Sequence, residues 1–263
     1  MGHICIAAED DKNAEWFNVI SGASDEALEF TGIQKLPPLE ELVDQILSHD
    51  PKLVALDYRL NENQNVHDGK NSYVAGTVAQ HIREKMSGDI KGDFPIVLVS
   101  AEGGLGQFFD GNPTAHDLFD RTFSKPKVNS EPQLVCHEMI SLIDGYMRIG
   151  SLLDAGDEFW KIFNISEEEW RTLNSIEELE LEISSQKVTH WVARILLKTV
   201  IDRSGLLLSR DDVWARLGID KAKSDVDKLW AVFSENGLVY DGAFHVSSPR
   251  LWNCLTSAPM SQI

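Results

Sequence analysis

The stretch PKLVALDYRL, residues 51–60, decides the fold. Leu53 to Leu56 are continuously apolar, and the run stops at a carboxylate, Asp57. A short apolar run without alternation reads as a strand buried on both faces, the mark of a parallel sheet. The same grammar repeats outward. HICIAA (3–8) and PIVLVS (95–100) are similar runs, LFDRTFS (118–124) is a weaker one, and a further strand is expected near 27–33. Helical patterns lie between them at about 13–21, 39–49, 72–86 and 132–148, the last with Val135, Met139, Leu142 and Tyr146 at helical spacing. Strands alternating with helices predict an α/β fold: a doubly wound, five-stranded parallel sheet of the flavodoxin-like kind. Its functional crevice belongs at the carboxyl ends of the strands.

The residues at those ends carry chemistry. Glu9 and Asp10 follow the first strand, Asp57 closes the third, Ser100 closes the fourth, and Lys125 with Pro126 follows the fifth. Three carboxylates in one crevice repel one another and call for a cation. A small set of hard oxygen ligands suits Mg²⁺, which keeps several waters and accepts a phosphate oxygen. A lysine and a serine beside them would hold phosphoryl oxygens. The set is chemically complete for a carboxylate nucleophile that becomes an aspartyl phosphate.

CIAAEDDK (5–12), PKLVALDYRL (51–60), FPIVLVSAE (94–102) and FSKPK (123–127) resemble the signature segments of receiver domains of two-component response regulators, in order and at nearly the family spacing. The resemblance covers about residues 3–148. It implies that Asp57 is the phosphoacceptor and that Mg²⁺ is held by Glu9, Asp10, Asp57 and the main-chain carbonyl of Arg59. It implies that Ser100 and Lys125 meet the phosphoryl group, that Ala101 is the small residue beside Ser100, and that a cis peptide joins Lys125 to Pro126. It further implies a histidine kinase as phosphodonor. Thr122 stands where the family carries an aromatic switch residue, and the adjacent Phe123 faces the other way on a strand. The loop at 61–71 is long and lacks the common proline, and the stretch between Ser100 and Lys125 is also long. These departures leave open a receiver that binds partners constitutively, without phosphotransfer. Trp16 is the tryptophan nearest the acids in sequence, and so the expected reporter of bound metal.

After Gly150 the alternation ends. Residues 1–150 carry 12 basic and 24 acidic side chains, residues 151–185 carry 2 and 10, and residues 186–263 carry 10 and 8. This predicts a receiver domain (1–150), an acidic helical connector (151–185) and a near-neutral output domain (186–263). The acidic run at 167–182 reads as a solvated helix face. Ser166 with three glutamates after it is a helix start. Val188, Trp191, Val192, Ile195, Leu196 and Thr199 mark an amphipathic helix. Ser209 with Asp212 opens a helix that Gly218 closes, and Ser224 with Asp227 opens another, with Val226, Leu229, Trp230 and Phe233 on one face. Leu238–Tyr240 and Ala243–Val246 around Asp241-Gly242 read as a hairpin with a two-residue turn. Three helices and a hairpin are the order of a winged helix. Its candidate recognition helix, SDVDKLWAVFSEN (224–236), holds Asp225, Asp227 and Glu235 against Lys228 alone, poor chemistry for a phosphate-lined groove. Lys221, Lys223 and Arg250 add a thin basic patch. A protein partner or self-association is therefore favoured over DNA.

The whole chain of 263 residues carries a formal −18, which repels nucleic acid and anionic membrane by default. No apolar run reaches the roughly 18 residues a membrane helix needs, and residues 3–8 are too short for a signal-peptide core, so a cytoplasmic protein is expected. Cys5, Cys136 and Cys254 have no metal-ligand spacing and read as reduced and structural. Gly103-Gly104-Leu105-Gly106 lacks the ending of a P-loop. The histidines show no ligand spacing, and no GxSxG motif or Cys-His constellation supports a hydrolase, so a signalling protein rather than an enzyme is expected.

Overall fold

The computed structural model describes residues 2–11, 14–60, 73–87, 92–101, 118–173, 177–247 and 249–253. The chain divides into two units, Met1–Met147 and Arg148–Ile263. The glycine run at 103–106, the loop at 61–71 and Cys254 lie outside the described residues.

In the first unit β1 (His3–Ala8), β2 (Leu28–Ile33), β3 (Leu53–Asp57), β4 (Ile96–Ser100) and β5 (Arg121–Ser124) form one sheet in the order β2-β1-β3-β4-β5. Every neighbouring pair is parallel. This is the doubly wound flavodoxin-like order, with its reversal between β1 and β3. The helices are α1 (Trp16–Ala23), α2 (Leu39–Ser48), α3 (Ala75–Lys85), the short α4 (Lys125–Ser130) and α5 (Pro132–Ala155), whose last residues count with the second unit.

All of β3 and β4 is buried, because helices cover both faces. Ile6, Val54, Leu56, Ile96 and Leu98 share one core cluster with Leu42, Ile46, Val78 and Ile82 of α2 and α3. The alternate strand positions Cys5, Ala7, Ala55, Val97 and Val99 point to the opposite face and are buried too, as are Val135, Met139, Leu142 and Tyr146 of α5. On β2, a Cβ at Gly32 would stand 2.7 Å from the Phe17 ring, so the ring occupies the space a side chain would fill.

The amino ends of β4 and β5 carry a buried polar network. Arg83 of α3 reaches Asp93 at 2.7 Å and Asp120 at 3.0 Å, and Tyr146 donates its hydroxyl to Asp120 at 2.7 Å. Asp120 also accepts the Ile96 amide at 2.8 Å, which ties α3, α5 and two strands together.

After the end of α5, the second unit continues with a 3-10 turn, Phe159–Phe163, and α6 (Glu167–Thr172), which Ser166 and Glu169 open as a full capping box. Trp170 stacks on Phe163 at 5.1 Å. In α7 (Glu177–Ser184) only Ile183 is buried, and Glu167–Glu169, Glu177, Glu178 and Glu182 are exposed, the solvated acidic face the sequence suggests. This segment is bonded to the rest of the unit: Ala243 donates its amide to the Ile162 carbonyl at 2.9 Å, and Asn164 donates to Asp241 at 2.7 Å.

Next come α8 (Thr189–Ile195), continued by a π-helical turn at Leu196–Ile201, β6 (Leu207–Ser209), α9 (Arg210–Leu217), α10 (Val226–Glu235) and β7 (Arg250–Trp252). Ser209 and Asp212 form the capping box of α9, and Gly218 closes it at φ +65. The N-cap of α10 is Asp225, which accepts the Lys228 amide, rather than the Ser224 expected. Trp191 and Thr199 do not share the buried face of α8. The buried stripe keeps ordinary helical spacing but is offset by one position, so Val192, Ala193, Leu196, Leu197 and Val200 are buried while Trp191 is 46% exposed.

The two-residue hairpin at 238–246 is not formed. Residues His245–Ser247 make a 3-10 turn instead. The return strand is β7, which pairs antiparallel with β6, and Leu251 also bridges antiparallel to Val239. Tyr240 explains the change: its hydroxyl donates to the Ala243 carbonyl at 2.8 Å, and its ring fills the space beside Gly242. That contact curls 241–244 into a turn instead of extending it. The resulting order is helix, strand, helix, helix, strand segment, turn, strand, with β7 between β6 and the Val239 bridge. Leu208, Val213, Trp214 and Leu251 form its core, with Val226, Leu229, Trp230 and Phe233 of α10 packed against it.

Candidate functional site: carboxylates at the β1–β3 switch point

The sheet order sets the site. β1 and β3 are adjacent, with Ala8 opposite Leu56, so the next residues along, Glu9 and Asp57, emerge side by side. Asp10 follows Glu9, and carboxylate oxygens of Glu9, Asp10 and Asp57 lie within 4.8 Å of one another. All three are buried. Lys125, the first residue after β5, extends back so that Nζ stands 3.0 Å from Asp57 Oδ1 and 2.8 Å from Glu9 Oε2. Its place is fixed by Ser124, which caps α4 by accepting the Lys127 amide. Ser100 pairs in register with Ser124 and is buried, with its hydroxyl donating to the Ala101 carbonyl at 3.3 Å.

Burial first, and the Glu9 charge second, push the Asp57 carboxyl from 3.8 up to about 7, against the opposing pull of Lys125. Burial disfavours the charged Lys125 amine, yet the hydrogen bond to Glu9 and the Asp57 charge hold it above its ordinary value. Three carboxylates facing one ammonium leave an excess of negative charge. That donor set, all oxygen and close-set, fits a hard divalent cation such as Mg²⁺.

The candidates Glu9, Asp10, Asp57 and Lys125 are thus brought together, and Ser100 is at the adjoining strand end. Arg59 lies two residues beyond Asp57, with its guanidinium 5.9 Å from the Tyr58 ring. No peptide bond among the described residues is cis, so the cis Lys125–Pro126 bond that the resemblance implies is not found; Pro126 instead lies in the first turn of α4. Thr122 is exposed and Phe123 is 1% exposed, so the aromatic ring at this strand points into the core. Sequence reasoning missed the role of Trp16. Its indole Nε1–H donates to Glu9 Oε2 at 2.7 Å, a contact across a loop that no spacing rule announces.

Elsewhere, an open cleft of about 470 Å³ in the second unit is lined by Glu169, Ser234, Tyr240, Asp241, His245 and Trp252 among others. Its acids are already engaged, Glu169 by Ser166 and Asp241 by Asn164. No helix among the described residues is long and apolar enough to cross a membrane.

The sheet order and the carboxylate-lysine cluster define the class: a receiver-like, flavodoxin-type α/β unit, here followed by a smaller, mainly helical unit. No protein-family model matches the chain, and no curated protein matches it. Solved response regulators do. An RcsB response regulator of Salmonella typhimurium is 12% identical with a TM-score of 0.34, covering 92% of this chain and 96% of that one. RcsB from Salmonella enterica serovar Typhimurium bound to a promoter is 13% identical with a TM-score of 0.35, covering 89% and 100%. A further RcsB–DNA complex is 13% identical with a TM-score of 0.34, covering 98% and 100%. These are loose whole-chain likenesses, and the fold assignment rests on the sheet order and strand-end residues described above.

Proposed function

We propose that this chain is a response-regulator-like signalling protein that accepts a phosphoryl group on Asp57 and controls a protein-interaction output through its C-terminal unit. The observation that carries this is the convergence of Glu9, Asp10, Asp57 and Lys125 on one crevice. An Asp57 oxygen attacks the phosphorus of a histidine kinase's phosphoimidazole. The new P–O bond forms as the P–N bond breaks, and the electron pair leaves with the imidazole. Mg²⁺, held by Glu9, Asp10, Asp57 and the Arg59 carbonyl, would neutralise charge building on the transferred group. Lys125 binds a phosphoryl oxygen, and the Ser100 hydroxyl donates to another. These new contacts bias the crevice toward a second arrangement, a population shift that the output reads. A cytoplasmic setting, with a kinase able to reach the crevice, belongs to this reading.

The test is intact mass after acetyl phosphate and Mg²⁺, wild type beside Asp57→Asn. A labile gain of one phosphoryl group in the wild type alone is expected. No gain by a folded protein, with a control receiver labelled in parallel, would overturn the reading.

Exposed Thr122 and inward Phe123 favour a second reading, a constitutive interaction module. It expects partner binding that is unchanged by acetyl phosphate and by Asp57→Asn. For the output, a protein partner is favoured over DNA because the basic residues near α10 are already paired: Lys221 with Asp211, Lys223 with Asp220 and Arg210 with Asp227.

A further inference from the structure

The carboxylate of Glu9 is fully buried, and its oxygens are nearly all spoken for. Oε2 accepts from the Trp16 indole at 2.7 Å and lies 2.8 Å from Lys125 Nζ. Oε1 accepts the Asp11 amide at 3.2 Å. A carboxylate oxygen offers two lone-pair sites, so Oε2 is saturated. The indole cannot turn away from it. Trp16 is 4% exposed, and its ring meets Phe17 edge-on at 5.5 Å and Phe30 at 6.2 Å. Phe17 is itself seated in the space left by Gly32. An indole N–H is a donor only, so this bond always points one way. The aromatic cluster of α1 and β2 therefore fixes a direction at the crevice, through one hydrogen bond.

We infer that Trp16 is a positioning residue of this site: its indole N–H anchors the buried Glu9 carboxylate, and Glu9 in turn aims Lys125 at Asp57. Trp16 acts through the Glu9 carboxylate that its indole holds. A phenylalanine would fill the same aromatic seat without the donor. Glu9 would then keep only the Lys125 and Asp11 contacts, and binding a cation would have to order it more fully as well as neutralise it, which weakens binding. This rests on the receiver reading above, because the cation and the phosphoryl group are those of that site.

The experiment is calorimetric Mg²⁺ titration of the wild type, Trp16→Phe, Glu9→Ala and the double variant, with melting temperatures alongside. Trp16→Phe should weaken Mg²⁺ by up to about 10-fold, the cost of ordering one side chain on binding, and should lower the melting temperature modestly, because a buried carboxylate loses one donor. In the Glu9→Ala background the same change should have little further effect, since the two act as a unit. In the wild type, the ¹H–¹⁵N signal of the Trp16 indole should stay at its hydrogen-bonded position when Mg²⁺ saturates. Equal Mg²⁺ affinity of wild type and Trp16→Phe would overturn the inference, as would an effect that persists without Glu9 or an indole signal released by Mg²⁺. A wild type that takes up neither Mg²⁺ nor phosphoryl group would overturn the receiver reading, and this inference with it.

Discussion

Lys125 stands 3.0 Å from Asp57, yet the Asp57 carboxyl is pushed up to about 7, because burial and Glu9 outweigh the one ammonium they share. In the folded state Asp57 thus keeps a proton that the unfolded chain gives up near 3.8. Its contribution to stability is full below that lower value and is lost as pH rises through about 7. Asp57→Asn, which imitates the protonated form, should match the metal-free wild type near pH 4. It should exceed the wild type at pH 8 by roughly 1–3 kcal/mol. Thermal melts across pH measure this, and Mg²⁺ at pH 8 should raise only the wild type. A wild type equal to the variant at pH 8 would refute the electrostatic account.

Removing the shared cation should act in the opposite sense on metal. Lys125→Met leaves Glu9 and Asp57 without their ammonium, so the crevice should take Mg²⁺ roughly tenfold more tightly near neutral pH. Labelling of Asp57 by acetyl phosphate should nevertheless fall, because the oxygen that Lys125 would bind is left without a donor. Tighter metal with weaker labelling is the expected signature; parallel changes in both would argue against the assigned role.

The Arg83 network governs stability rather than chemistry. Arg83→Leu strands two buried carboxylates, Asp93 and Asp120, whose side chains are 1% and 6% exposed. The expected loss is about 3–5 kcal/mol. Tyr146→Phe removes one donor to Asp120 and should cost about 1–2 kcal/mol. Denaturant unfolding measures both, and a neutral Arg83→Leu would show the network to be dispensable.

Much of this was legible in the sequence, for a physical reason. Parallel strands buried on both faces must be continuously apolar, so Leu53–Leu56 and Ile96–Val99 announce themselves, and each carboxylate that ends a run marks the crevice. The helix caps at Ser166 and Ser209 are local chemistry and were equally readable. The failures are non-local. Tyr240 bending its own turn, the one-position offset of the buried stripe that leaves Trp191 outward, and the reach of Trp16 to Glu9 all depend on packing partners that spacing does not encode.

The second unit should not hold to DNA. The exposed positions of α10 include Asp227, Lys228 and Glu235, and the nearby basic groups have acidic neighbours. No retention on duplex DNA is expected even at about 50 mM salt, where phosphate contacts are strongest. Retention that Lys221→Ala and Lys223→Ala abolish would instead support a DNA-binding output.

Gly32 and Phe17 share one volume, since a Cβ on the first would stand 2.7 Å from the ring of the second. Any related chain with a larger residue at the first position must therefore have given up the ring at the second, and the indole beside it would lose a wall of its seat. The two positions should drift together through evolution. A small residue on the second strand, paired with adjacent aromatics opening the first helix, is a fingerprint for recognising kin of this chain where overall identity has faded.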